Sequence, residues 1–281
     1  MRDRFFRRRL VDRTVRGACL LAMLLALVPL VSVLWFVTLR GIGGLSWSFF
    51  SELPRPVGET GGGMANALLG TLELVGLACL FGIPAGVLAG IHLSTFGHSR
   101  FGRFVRFAAD VMSGVPSIAV GLFVYAVVVT TSRSFSGFAG AIALAILMLP
   151  TVARTTEELL KLVPEALREA ALGLGVPKWR TTLFVVLRTA APGVVTGIML
   201  AVARASGETA PLLFTAFNNR FWSTDPSEPM ASLPVTIYAY AVSPYEDWHR
   251  QAWAAALVLV ALVLVLNVLA RFVVRRRWGL G

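Results

Sequence analysis

At 281 residues, 56% hydrophobic and only 15% charged, with a mean hydropathy of +0.74, the chain is too apolar for a soluble domain, where about 25% of residues are charged. Its formal charge of +11 does not come from a basic patch interleaved with aromatics, which excludes a nucleic-acid surface. Cys19 and Cys79 both lie in apolar runs, which excludes a disulfide framework.

A helix needs about 20 apolar residues to cross a bilayer, and the sequence predicts six such spans, at 17–39, 65–91, 105–131, 137–156, 189–216 and 251–273. The first follows seven arginines. Its apolar core exceeds that of a signal peptide and no small-residue cleavage site follows, so it reads as a retained helix. The Gly/Pro-rich segment 40–64 carries Trp47, Phe49 and Phe50, suited to an interface. Pro84, Pro116 and Pro211 lie inside spans, where each removes a backbone bond and bends its helix. Pro84 reads as packing. Pro116 and Ser117, in "GVPSIAVG", are either gate or packing residues. In the long outer loop 217–250, Trp222, Tyr238, Tyr240, Tyr245 and Trp248 suit an aromatic belt, or a surface that receives a partner.

Topology follows from charge. Of 26 Lys and Arg residues, 20 fall in the N-terminal tail, the 92–106 and 154–188 loops and the C-terminal tail. The opposite loops hold Arg40, Arg55, Arg133, Arg220 and Arg250, and of the 26 only Arg204 is left, within a span. The positive-inside rule places both termini in the cytoplasm, together with the loop 157–188.

That loop contains "EALREAALGLGVPKW". Pro164 suits a first helical turn, and Glu165 and Glu169 favour its positive end. Ala166, Leu167, Ala170, Ala171 and Leu174 share one face, opposite Glu165, Arg168 and Glu169. Gly173 and Gly175 permit a left-handed exit, and Pro177 opens a second helix. The shallow alanine face lets another backbone approach closely. The residues alone leave open whether this helix docks into a groove or rests on the membrane surface.

Glu169-Ala170-Ala171, three residues and then Gly175 resemble the Glu-Ala-Ala-x3-Gly motif of ABC importer permeases. Nine residues further the motif expects Ile-x-Leu-Pro, and Val185-Val186-Leu187-Arg188 stands there, with arginine in place of proline. "SGVPSIAVGLFVY" (113–125), "LPTVARTTEELLKLVP" (149–164) and "RASGETAPLLFTA" (204–216) resemble the phosphate-specific branch, in the version of its smaller permease. The resemblance implies an all-α membrane protein of six transmembrane helices with the type I, MetI-like permease fold. It divides the chain into an N-terminal tail with first helix and outer segment (1–62), a permease core (63–273) and a cytoplasmic tail (274–281). It implies a bacterial inner-membrane location and a coupling role for Glu165, Glu169, Ala170, Ala171, Gly173 and Gly175. The partners it implies are a second permease subunit, a dimeric ATPase and an extracytoplasmic phosphate-binding protein. No cofactor is expected on this chain, ATP being used by the partner subunit.

Arg204, near the middle of the predicted fifth span, costs at least ~2.5–3.5 kcal/mol as an isolated charge in a bilayer. Glu208, at i+4, can pair with it. The pair is either a helix lock or part of an anion path, since a guanidinium suits tetrahedral oxyanions. Gly207 and Pro211 allow a broken helix there, and Gly207 and Thr209 join the pathway set. Glu73, Asn66 and Asp110 are weaker candidates, with Asp110 at the cytoplasmic interface. His92, His98 and His249 form no metal-spaced pair, no nucleophile has a nearby base, and there is no Walker motif. A membrane enzyme is therefore disfavoured. A passive channel would not need the Glu-Ala-Ala loop. Within the class, another oxyanion such as sulfate or molybdate is the alternative cargo.

Overall fold

The computed structural model describes residues 2–278, with side chains for 11–272. Among the described residues the elements are helices: α1 (Arg2–Ile42), α2 (Trp47–Ser51), α3 (Ala65–Phe96), α4 (Arg100–Gly114), α5 (Ser117–Ser132), α6 (Gly137–Lys161), α7 (Glu165–Gly173), α8 (Lys178–Ser206), α9 (Ala210–Thr215), α10 (Leu233–Ala241) and α11 (Glu246–Trp278). Five of the described helices are long and apolar enough to span a membrane, or six if the bent pair α4–α5 counts as one.

The centre is the parallel pair α3 and α6. Gly82, Gly86 and Gly90 recur every fourth residue on the α3 face that meets α6. A Cβ on Gly86 would fall 2.7 Å from the Val152 Cβ, and one on Gly90 2.5 Å from the Thr156 Cβ. Lipid supplies no hydrophobic drive between helices, so such close approach is what holds them. Leu74, Ala78, Leu144, Met148 and Val152 fill the seam, and Ala201, Val202 and Ala205 of α8 close it from a third side.

A second core lies at the outer end, where Phe49, Met64, Leu233, Tyr240, Ala254 and Ala255 are buried together. Two sequence expectations change here. Phe49 is a core residue rather than an interfacial one, because the short α2 turns it inward beneath Met64. The outer loop contains α10, whose Tyr240 stacks on Trp248 at 4.3 Å and 11°. Of the expected belt, Trp222, Tyr238 and Tyr245 stay exposed.

Two expected spans are also corrected. The third, 105–131, is not one straight helix: α4 and α5 meet at 106°. Pro116 causes the bend, since its ring disfavours helical geometry at Val115, which is extended at ψ 129°. The fifth, 189–216, begins earlier and is broken: α8 runs from Lys178 to Ser206 through a π-helical stretch at Thr181–Val186, and α9 follows separately. Consequently the connection expected at 157–188 contracts to 162–177, its ends being absorbed into α6 and α8.

Candidate functional site: a broken span, a bent helix and a cytoplasmic handle

The break between α8 and α9 sits beside the middle of α6. Arg204 and Glu208 lie against Leu147, Met148 and Thr151, the central turns of that spanning helix, so their depth is close to mid-bilayer. Arg204 is nevertheless in the last turn of α8 rather than mid-helix. The Gly207 and Glu208 amides donate back to the Arg204 and Ala205 carbonyls at 3.1 and 3.2 Å, ending the helix. The Thr209 carbonyl accepts from Leu212 and Leu213 at 3.1 and 3.2 Å and starts α9, with Pro211 in its first turn where its missing N–H does no harm. The Arg204 Nε stands 3.8 Å from the Glu208 Oε1, with the arginine side chain 65% exposed and the glutamate 17%. This is a loose ion pair. A guanidinium so exposed at that depth requires water or a partner rather than lipid.

The bent helix joins this site. Pro116, at φ −58° and ψ 138°, immediately precedes α5, and Ser117 is the first residue of α5. One turn on, α5 packs against α9 at Gly121 and Pro211. Pro116 and Ser117 thus stand at the start of an element that touches the span break.

A charged cluster that the sequence reading did not single out ties α4 to the cytoplasmic end of α6. Glu157, 1% exposed, accepts from Arg106 at 2.5 Å, from Lys161 at 2.5 Å and from Arg154 at 3.2 Å. Arg154 also pairs with Asp110, which joins Asp110 of α4 to this network. The signal was present: Arg154, Glu157 and Lys161 are spaced i, i+3, i+7 on one helical face. Only the fold, however, brings Arg106 across to them.

The cytoplasmic loop is built as a capped helix. The Val176 amide donates to the Ala171 carbonyl at 3.1 Å and that of Gly175 to Leu172 at 2.9 Å, which together form a Schellman stop. Gly175 has φ +81°, whereas Gly173 stays helical, so only one of the two glycines makes the left-handed exit. Arg168 departs from its expected place on the polar face. It turns inward and donates from Nη2 to the Leu160 carbonyl at 3.3 Å, bracing α7 against the end of α6. Ala171 is buried on the same side, leaving Ala166, Leu167, Ala170 and Leu174 on an open apolar face, with Leu174 84% exposed.

The chain is thus a helical bundle with a broken span at mid-depth and a capped helix between two spans. The family model described as "Binding-protein-dependent transport system inner membrane component" matches residues 82–279. The fold is similar to the inward-facing MetNI methionine ABC transporter (TM-score 0.59, 19% identity, 76% of this chain and 93% of that one) and to a bacterial alginate ABC transporter (TM-score 0.67, 14% identity, 95% and 96%). The phosphate transport system permease protein PstA of Yersinia pestis is 46% identical over 96% of this chain and 92% of its own length. That of Haemophilus influenzae is 45% identical over 95% of each, and PstA 1 of Mycobacterium tuberculosis 39% identical over 96% and 92%. The chain belongs to the binding-protein-dependent transport permeases and, among them, to the PstA group. It is a multi-pass inner-membrane component, a non-catalytic permease that works with an ATPase and a binding protein.

Proposed function

We propose that the chain is one of two permease subunits that together enclose a path for inorganic phosphate, and that it is driven through α7 by a cytoplasmic ATPase. The observation that carries the cargo assignment is the 43–46% identity to phosphate permeases over nearly the whole chain. The geometry agrees with it. Arg204 presents an open guanidinium at the span break, and its planar fork suits a tetrahedral oxyanion. Glu208 lies close enough to lower the cost of that charge and too far to hold it tightly. Gly207 and Thr209 form the non-helical turn that exposes the pair.

For coupling, the open face of Ala166, Leu167, Ala170 and Leu174 offers shallow apolar surface to a groove, and Glu165 and Glu169 flank it. Gly175 fixes the angle at which the chain leaves, and Arg168 passes any displacement of α7 to α6. Pro116 and Ser117 would shift with α5 as the path opens. The test is uptake into vesicles holding this chain, a second permease, the ATPase and a phosphate-binding protein. ATP-dependent phosphate accumulation that excess sulfate does not reduce is expected. Uptake lost to sulfate or molybdate competition would overturn the cargo assignment, and flux without ATP would point to a channel.

A further inference from the structure

A cavity of 1050 Å³ lies at the outer end of the bundle, between the end of α1, the turn at Thr60, α10 and the start of α11. It shares no lining residue with the surroundings of Arg204. Its walls change in character with depth. α11 enters with Glu246, Asp247 and Arg250, then presents Ala252, Trp253 and Ala256 deeper in the membrane. At 1.5 Å per residue, Ala256 lies about 15 Å below Glu246 along the helix. On the other side α1 ends its apolar run with Leu39 and sets Arg40 next to it. Leu39 and Trp253 are exposed, so the apolar floor borders the hydrocarbon, with a tryptophan at the depth such residues prefer.

The charges above that floor are of both signs, and two of them are unused. Asp247 is satisfied: its Oδ1 accepts from Arg250 at 2.5 Å, and its Oδ2 from the Gly61 amide at 3.2 Å and from Gln251 at 3.1 Å. Arg40 and Glu246 have no hydrogen bond or ion pair among the described residues, and they do not reach each other. The cavity thus offers an open cation, an open anion and an apolar floor, in the order in which a phospholipid carries its own groups.

We propose that this cavity binds a phospholipid of the outer leaflet whose headgroup is zwitterionic and ends in a primary ammonium, as in phosphatidylethanolamine. The phosphodiester takes two parallel hydrogen bonds from the Arg40 guanidinium. The ammonium pairs with Glu246, and the glycerol and first acyl carbons cover Ala252, Trp253 and Ala256. Water or a free anion would suit Arg40 and leave the apolar floor bare. An anionic lipid would leave Glu246 without a partner. Bound there, the lipid braces α1, which crosses α11 closely at Gly41 and Gly44, against α10.

Native mass spectrometry of the transporter purified in mild detergent provides the test, with dioleoylphosphatidylethanolamine as the probe. The wild type should retain one more lipid per copy of this chain than Ala256→Trp, whose indole fills the floor. Arg40→Gln should weaken binding at least five-fold, and Glu246→Gln should abolish the preference for an ethanolamine over a choline headgroup. Both side chains are exposed and unpaired, so a thermal midpoint near the wild-type value should accompany these losses. Excess inorganic phosphate should displace no lipid. Equal retention by the wild type, Arg40→Gln and Ala256→Trp would overturn the proposal. Displacement by phosphate alone would give the cavity to the free anion and overturn it too. So would a benzoylphenylalanine in place of Leu39 that cross-links to a second protein and not to lipid, since a partner chain would then fill the cavity.

Discussion

A Cβ placed on Gly121 would lie 2.6 Å from the Cα of Pro211, so α5 and α9 meet backbone to backbone. This contact joins the helix that follows the 106° bend to the half-helix that follows the span break. Two interruptions far apart in sequence are therefore one mechanical unit, and movement of α5 is felt next to Glu208.

Gly121→Val tests that unit. The added side chain meets proline backbone rather than a flexible tip, and overpacking of this kind costs about 1–3 kcal/mol. The chain should still insert, since the apolar length of the span is unchanged, while phosphate uptake collapses. Wild-type uptake by Gly121→Val would show that α5 and α9 separate freely, and the unit would not exist.

Glu157 makes a different demand. Its carboxylate faces three cations, and Glu157→Gln would leave Arg106, Arg154 and Lys161 with Asp110 as the only acid in the cluster. Breaking a fully buried pair costs 3–5 kcal/mol, but these cations are 29–50% exposed, and screening reduces the loss to about 1–3 kcal/mol. The thermal midpoint of the purified protein should fall accordingly. Lys161→Gln, at the most exposed member, should move it least. Equal effects from both changes would mean that burial of Glu157 does not organise the network.

These two sites show what the sequence reveals and what it hides. Span number, orientation and the identity of the cytoplasmic helix are legible because hydropathy, arginine placement and the Glu-Ala-Ala spacing are local in sequence. Pro116 marked the third span for a bend, but its 106° angle depends on what α4 and α5 pack against. The end of α8 at Ser206 was suggested by Gly207 and Pro211 and its start at Lys178 by Pro177, whereas its continuity into the fifth span was not, because Arg180 and Arg188 make that stretch look like loop. Glu157 was invisible as an organiser because Arg106, 51 residues away, reaches it only once α4 folds back onto α6. Arg168 was misplaced for a similar reason: helical periodicity assigns it a face, and the end of α6 supplies a carbonyl that periodicity does not contain.

The two glycines of the cytoplasmic helix separate docking from backbone strain. Gly175 has φ +81°, so Gly175→Ala forces an L-residue into the left-handed region at about 1–2 kcal/mol whether or not anything docks. Gly173 is helical, and a Cβ there meets nothing within 4 Å. Gly173→Trp should therefore leave the subunit folded and inserted. An indole beside Ala166 and Ala170 should nonetheless block a closely fitting groove, so ATPase stimulation by the loaded binding protein should disappear. Full stimulation in Gly173→Trp would place the docking surface elsewhere.

Arg204 and Glu208 offer the most direct reading of the pathway. At 3.8 Å the pair is looser than a hydrogen-bonded contact, and an ion pair this exposed contributes about 0–1 kcal/mol to stability. Assembly should therefore tolerate Arg204→Lys, Arg204→Gln and the double change Arg204→Gln with Glu208→Gln. Transport should not. Lysine keeps the charge and loses the planar fork, so phosphate uptake should fall markedly. Glutamine at both positions keeps polarity and length but offers the anion no cation. Measuring uptake and complex yield together separates the roles. A double variant that transports like the wild type would make the pair a helix lock at the break. Loss of uptake at full complex yield, in the double variant as in Arg204→Gln, would fix the guanidinium as the group the anion must pass.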